Sequence, residues 1–160
     1  AMADEGWKLA AQAAAKTSAA ESTDPTSDAD GVVKMYTEFG AAVVGADGKI
    51  LAAVNDATQP NISFDEDGEI TETSFKGTKM ELGDDYGMVA YGNAIAEWDA
   101  QSQAFSQYVV GKTAEEVAAI ETVQNDHGYS VAADETLLAS CTIQITGMMA
   151  VIAQAAEYAR

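Results

Sequence analysis

Two Asp-Gly pairs, each set between short apolar runs, constrain this chain more than any other feature. Ala46-Asp47-Gly48-Lys49 separates Phe39-Gly40-Ala41-Ala42-Val43-Val44 from Ile50-Leu51-Ala52-Ala53-Val54. Asp65-Glu66-Asp67-Gly68 separates Ile62-Ser63-Phe64 from Glu69-Ile70-Thr71-Glu72-Thr73. An Asp-Gly turn flanked by β-branched and aromatic residues is a strong short-range hairpin signal. A further strand-like run, Val32-Val33-Lys34-Met35-Tyr36, precedes the first hairpin. Two consecutive hairpins predict an antiparallel meander with one covered face.

The rest of the chain is arranged around that meander. Residues 21–31 are polar and full of turn formers, and read as a solvated loop. Ahead of them, Gly6 to Ala20 has the alanine content of a helix but no apolar stripe, so helix and strand stay open there. Gly77 to Gly92 reads as an irregular loop, of a length that is often functional. Beyond it, Ile95, Trp98, Phe105 and Val109 fall on one helical face, with Asn93 as N-cap and Gly111 at the C-terminal end. Thr113-Ala114-Glu115-Glu116 is a capping box opening a short helix that carries Val117 and Ile120. The polar stretch around Asn125-Asp126-His127-Gly128 breaks the pattern, and no repeat beyond the two hairpins is visible. Ile145, Met149, Ile152 and Ala156 then form the stripe of a final helix over 143–158. Strands first and helices after predict an α+β fold: an antiparallel β-meander of two hairpins, with the C-terminal helices packed on one face.

A chain of 160 residues is one ordinary domain, and residues 1–160 are read as such. Residues 1–5, opening Ala1-Met2-Ala3, read as a tag or leader remnant. About a fifth of the residues are alanine, which contributes little burial area per residue, so the core must come from the larger apolar residues in the periodic segments. Asp and Glu number 26 against 8 Lys plus Arg, a net charge of −18. Such a chain repels phosphate, which argues against nucleic acid and anionic lipid as partners. The simplest consequence of the charge is solubility. With one cysteine, Cys141, no intrachain disulfide forms, a pattern that fits a cytosolic protein and equally a disulfide-free bacterial surface protein. No apolar run approaches the roughly 18 residues needed to cross a bilayer.

Candidate chemistry is sparse. An EF-hand loop aligned on Gly68 begins at Ser63 and ends at Ser74, so the closing glutamate is missing, and alignment on Gly48 puts Val43 first. His127 and Cys141 are too few for a zinc site; the two could in principle make a thiolate pair, but nothing local supports one, and a surface histidine with a small buried cysteine is the expected arrangement. No phosphate loop, nucleophile elbow or zinc-protease motif occurs, and an enzyme is not expected. Tyr86, Met88, Tyr91 and Trp98 lie between the sheet and the first clear helix. Together they suit a small planar ligand, or else pack the loop onto the core.

The order of these segments carries a resemblance. The hairpin Ala46-Asp47-Gly48-Lys49-Ile50 is followed by Phe64-Asp65, Gly68-Glu69-Ile70 and Thr78-Lys79-Met80-Glu81-Leu82-Gly83-Asp84-Asp85-Tyr86-Gly87-Met88. Glu97-Trp98, Val109-Val110-Gly111-Lys112-Thr113 and Leu138-Ala139-Ser140-Cys141-Thr142-Ile143 come next. From about Phe39 onward the chain resembles a family of small secreted lipoproteins of anaerobic, gut-type bacteria. That resemblance implies a strand around Trp7-Lys8-Leu9, an extracytoplasmic location, and a membrane tether through a removed N-terminal lipid anchor. The family's layout is similar in turn to the FMN-binding domain of bacterial extracytoplasmic electron-transfer proteins. There a Ser-Gly-Ala-Thr stretch opens the last helix, and its threonine takes FMN through a phosphoester bond. The matching stretch is Ala139-Ser140-Cys141-Thr142, with Ser140 in place of the glycine and Cys141 in place of the alanine; an acidic residue falls at Asp134 or Glu135. Thr142 and Ser140 are therefore the implied flavin contacts, with Tyr86, Met88 and Trp98 as the pocket. A hydroxyl at Thr142 can also serve simply as a helix cap.

Three functional readings follow. The first is an extracytoplasmic, non-enzymatic domain that binds a small ligand between sheet and helices. The second is an electron-transfer domain carrying FMN, covalently or not. The third is a structural surface protein with no ligand.

Overall fold

The computed structural model describes residue 6, residues 8–17, residue 19 and residues 21–159, with the side chains of 14–17 left aside. Residues 1–5 and Trp7 lie outside the described residues. The alanine-rich segment is strand β1 (Lys8–Thr17). It pairs along its whole length with β2 (Gly31–Val44), from Lys8 opposite Val44 to Thr17 opposite Met35. Ten residues of ladder override alanine's preference for helix, because tertiary pairing outweighs a propensity of a few tenths of a kcal/mol per residue.

Strand β2 is the spine of the sheet. On its other side lie β3 (Ile50–Thr58) and β4 (Asn61–Phe64), both antiparallel to it and in one register up to Val43, where a shift between Val43 and Val44 interrupts the β3 ladder. Gln59 and Pro60 separate them. Pro60 has no N–H to give the ladder, but its carbonyl still accepts from the Met35 amide at 3.1 Å. The second hairpin therefore docks through β4 along β2, not against β3, and β5 (Ile70–Ser74) closes it.

Both Asp-Gly turns form, and a third of the same construction follows them. Gly45 donates to Lys49 O at 2.8 Å, Asp65 to Glu69 O at 3.0 Å and Asn125 to Tyr129 O at 3.0 Å. In each, the fourth residue is a glycine at positive φ: Gly48 at 79°, Gly68 at 83° and Gly128 at 78°. A side-chain oxygen of Asp47, Asp65 or Asn125 accepts from a turn amide. The stretch 125–128 is thus the turn of a small hairpin, β6 (Thr122–Gln124) and β7 (Ser130–Ala132). His127 replaces the aspartate before the glycine, which hides the repeat from an Asp-Gly search.

The remaining elements are α1 (Lys79–Leu82), a 3₁₀ turn (Gly83–Tyr86), α2 (Met88–Gly92), α3 (Trp98–Tyr108), α4 (Ala114–Ala118), α5 (Glu135–Leu138) and α6 (Thr146–Tyr158). Helix α6 packs on β1, β2 and β3, and α3 on β3. The fold is α+β, with these helices on one face of an antiparallel sheet. The core joins Ala42, Val44 and Ile50 of the sheet to Phe105 of α3 and to Met148, Val151, Ile152 and Ala155 of α6. Three local expectations change. The loop at 77–92 is three short helical turns. Ile95 is 57% exposed and lies ahead of α3, whose N-cap is Glu97, while Asn93 ends α2 at φ 51°. Helix α6 starts at Thr146 rather than Ile143. The buried stripe of α3 is Trp98, Gln101, Ser102, Phe105 and Ser106. Its polar members are satisfied internally, the two serines by Asn55, so apolar spacing alone misplaced the helix start.

Candidate functional site

Lys79 is the residue around which the site is built. It sits inside a second capping box, Thr78-Lys79-Met80-Glu81, where the Thr78 hydroxyl accepts from the Glu81 amide at 3.1 Å and the Glu81 carboxylate accepts from the Thr78 amide at 2.8 Å. That double lock starts a helical turn directly after the sheet and fixes the direction of the next side chain. Glu97 anchors the segment's far end, accepting from the Met88 amide at 2.8 Å and the Val89 amide at 2.9 Å. A carboxylate is favoured there by the exposed amides of a helix start.

The Lys79 ammonium is enclosed by aromatic faces. Nζ lies 4.6 Å from the centre of the Tyr86 ring, 4.7 Å from Tyr36 and 5.3 Å from Trp98. The residue is only 6% exposed. Nζ donates to the Tyr36 hydroxyl at 3.4 Å, and that hydroxyl donates to Glu38 Oε1 at 3.5 Å. Burial pushes Lys79 down to about 8, against the opposing pull of the Glu38 and Asp56 carboxylates. The three ring faces, each worth about 0.5–2 kcal/mol to a cation, also hold the charged form. Burial, together with the Glu38 charge, drives the Tyr36 hydroxyl well above its ordinary range. Glu38 in turn lies against the first turn of α6, so close that a Cβ at Gly147 would overlap its carboxylate. Negative charge at a helix N-terminus is stabilised by the peptide dipoles.

Of the residues singled out from sequence, Tyr86 and Trp98 meet on this one ammonium. Tyr86 is held by its hydroxyl, which bonds Gln59 Oε1 at 3.1 Å. Met88 is half-buried against the core and contributes its amide to Glu97. Thr142 belongs to a neighbouring arrangement: its amide and hydroxyl both donate to Gln101 Oε1, at 2.9 and 3.2 Å. Gln101 is one turn along α3 from Trp98, so α3 links the two places. Thr142 does not cap the last helix, which begins four residues later with Ile145 as its N-cap; its hydroxyl instead satisfies a glutamine that has no exposure. Ser140 turns back on α5, donating to Leu137 O at 3.2 Å. Cys141 is buried, which pushes its thiol up to about 11, while His127 is exposed in the third hairpin turn.

Lys79, Tyr36 and Glu38 were missed from sequence, though signals for each exist. Thr78 and Glu81 carry the same spacing as Thr113 and Glu116. Tyr36 and Glu38 alternate along β2 with the buried Ala42 and Val44, so they point to the helices by strand parity alone.

The opposite parity faces away from the helices and is also apolar. Phe39, Ala41 and Val54, with Ala11 and Ala13 of β1, line a groove of about 450 Å³ whose edge is formed by Met80 and Asp56. Asp56 Oδ1 accepts from the Met80 amide at 3.1 Å, tying α1 to the groove. A second, more polar cleft of about 520 Å³ lies between α4 and the start of α5. There Tyr108 donates to Asp134 at 2.9 Å and carries the Lys112 ammonium 4.4 Å from its ring centre.

Among the described residues, no three of His, Cys, Asp and Glu converge as metal ligands would, and no helix is long and apolar enough to cross a membrane. Compared with protein families, with curated proteins and with solved structures, the chain matches none.

Proposed function

We propose that this protein is a non-enzymatic small-ligand-binding domain working outside the cytoplasm, and that the groove on the helix-free face of the sheet receives an apolar, flat ligand. The observation that carries this reading is the chemistry of the outward positions. An antiparallel sheet covered on one side normally turns polar residues to water. Here Phe39, Ala41 and Val43 stand on the outward parity of the central strand, beside Val54, which is 47% exposed. Exposed apolar patches of this kind mark binding surfaces. Location and the lipid tether follow the resemblance to secreted lipoproteins, which also makes FMN a compound to try, its implied contact Thr142 lying beside Gln101 of α3 and not in the groove.

Differential scanning fluorimetry with flavins, quinones, haem and metal ions tests the proposal. At a hundredfold excess over its Kd, a groove ligand raises Tm by roughly 5–10 °C in a chain of this size. Val54→Glu, at an exposed position, leaves the fold intact and abolishes the rise. Should no compound shift Tm, a purely structural role is the better account; a shift that survives Val54→Glu puts the ligand somewhere other than the groove.

A further inference from the structure

We propose that the cage formed by Tyr36, Tyr86 and Trp98 is a binding site for a small alkylated ammonium ion, and that Lys79 occupies it as a built-in competitor. This stands apart from the apolar groove and does not depend on it. Three aromatic faces within 4.6 to 5.3 Å of one nitrogen make the arrangement by which proteins recognise quaternary ammonium groups. The Glu38 and Asp56 carboxylates act on the same point, which makes the cage selective for positive charge rather than for any apolar body.

A methionine in place of Lys79 would fill the same volume without taking an ammonium out of water, and buried charges are commonly replaceable by apolar residues at no loss. An exchange of one cation for another, by contrast, leaves the surrounding carboxylates compensated throughout. The molecule's net charge of −18 concentrates cations at its surface and speeds their arrival.

The segment that carries Lys79 is a short capped turn between two glycines, and the bond from the Met80 amide to Asp56 Oδ1 at 3.1 Å is the one that the exchange must open. Helix α1 is a single turn, Lys79–Leu82. It lies between Gly77 at φ 117° and Gly83 at φ 48°, two positive-φ conformations that favour glycine and serve as hinges. Rotation about them lifts Lys79 from the rings while leaving Tyr36 on β2 and Trp98 on α3 in place. Free of the cage, the ammonium returns to water and the external cation takes its position.

The test titrates tetramethylammonium and choline into the wild-type protein and Lys79→Ala by calorimetry at constant ionic strength. The neutral isostere 3,3-dimethylbutan-1-ol is run beside them. Removing the competitor should tighten tetramethylammonium binding at least tenfold, since apparent affinity scales with the fraction of molecules whose cage is open. Adding Trp98→Leu to Lys79→Ala should lose that gain, and the alcohol should bind neither protein. Equal affinity of both proteins for tetramethylammonium, or preference for the alcohol, overturns the proposal. If Lys79→Ala does not fold, the wild-type chain still decides. Amine acetylation mapped by mass spectrometry should modify Lys79 several-fold faster in saturating tetramethylammonium, with the exposed Lys49 unchanged. An unchanged Lys79 rate overturns the exchange.

Discussion

Lys79 gives the clearest residue-scale prediction, because its ionisation differs between the folded and unfolded chain. Burial lowers it from an ordinary 10.5 to about 8. Between those values the unfolded chain holds a proton that the native chain has released, so the lysine's contribution to stability rises with pH across that window. Below pH 8 both states are protonated and the cost of the buried ammonium is constant. Glu38 and Tyr36 on β2, Asp56 on β3 and Tyr86 in the 3₁₀ turn face it. The tyrosines, raised above 10 by burial, act in the opposite sense from about pH 10 upward. Urea unfolding of wild type and Lys79→Met from pH 7 to 10 should show the difference between them growing in favour of wild type by about 1 kcal/mol per pH unit above pH 8. A flat difference would mean that the rings hold the ammonium fully charged. None of this was legible in the sequence around position 79, because a lone lysine in an acidic chain reads as solvated until three distant aromatics close over it.

At the scale of elements, local chemistry was the most readable. Both Asp-Gly turns form because glycine alone takes the required φ without strain, and the capping box at Thr113 forms because its two bonds are satisfied within four residues. The equivalent box at Thr78 lies among glycines and aspartates that suggest a loop. The contact between β2 and α6 was beyond reach, since Glu38 and Gly147 are brought together only by packing. It reverses an ordinary rule. Gly→Ala inside a helix normally stabilises by about 1 kcal/mol, yet Gly147→Ala puts a methyl where the Glu38 carboxylate lies, so that carboxylate must swing aside and the change should instead destabilise by about 1 kcal/mol. Paired with Glu38→Ala, the same substitution should regain its stabilising sign. Chemical denaturation of the two single variants and the double variant measures both.

For the whole molecule, charge is the dominant property. With 26 acidic residues against 8 basic ones, the folded chain repels itself more than the expanded one does. Screening should therefore raise Tm by a few degrees between 10 mM and 300 mM NaCl, as the Debye length falls from about 30 Å to below 10 Å. A Tm that falls with salt would show that attractive pairs, not repulsion, control the surface. The same field favours a cation at the Lys79 cage, so an acidity that by composition only excluded partners acquires a direction once the cage is seen. By itself the sequence determined the class: an antiparallel sheet punctuated by Asp-Gly turns, followed by helices, because turns and caps are decided by residues four apart or fewer. Tertiary structure alone decided which way β4 docks, which polar residues are buried, and that Tyr36, Tyr86 and Trp98 converge on one ammonium. Most of those contacts join residues tens of positions apart, as Tyr36 to Lys79 does, and a one-dimensional pattern holds no record of which distant faces will meet.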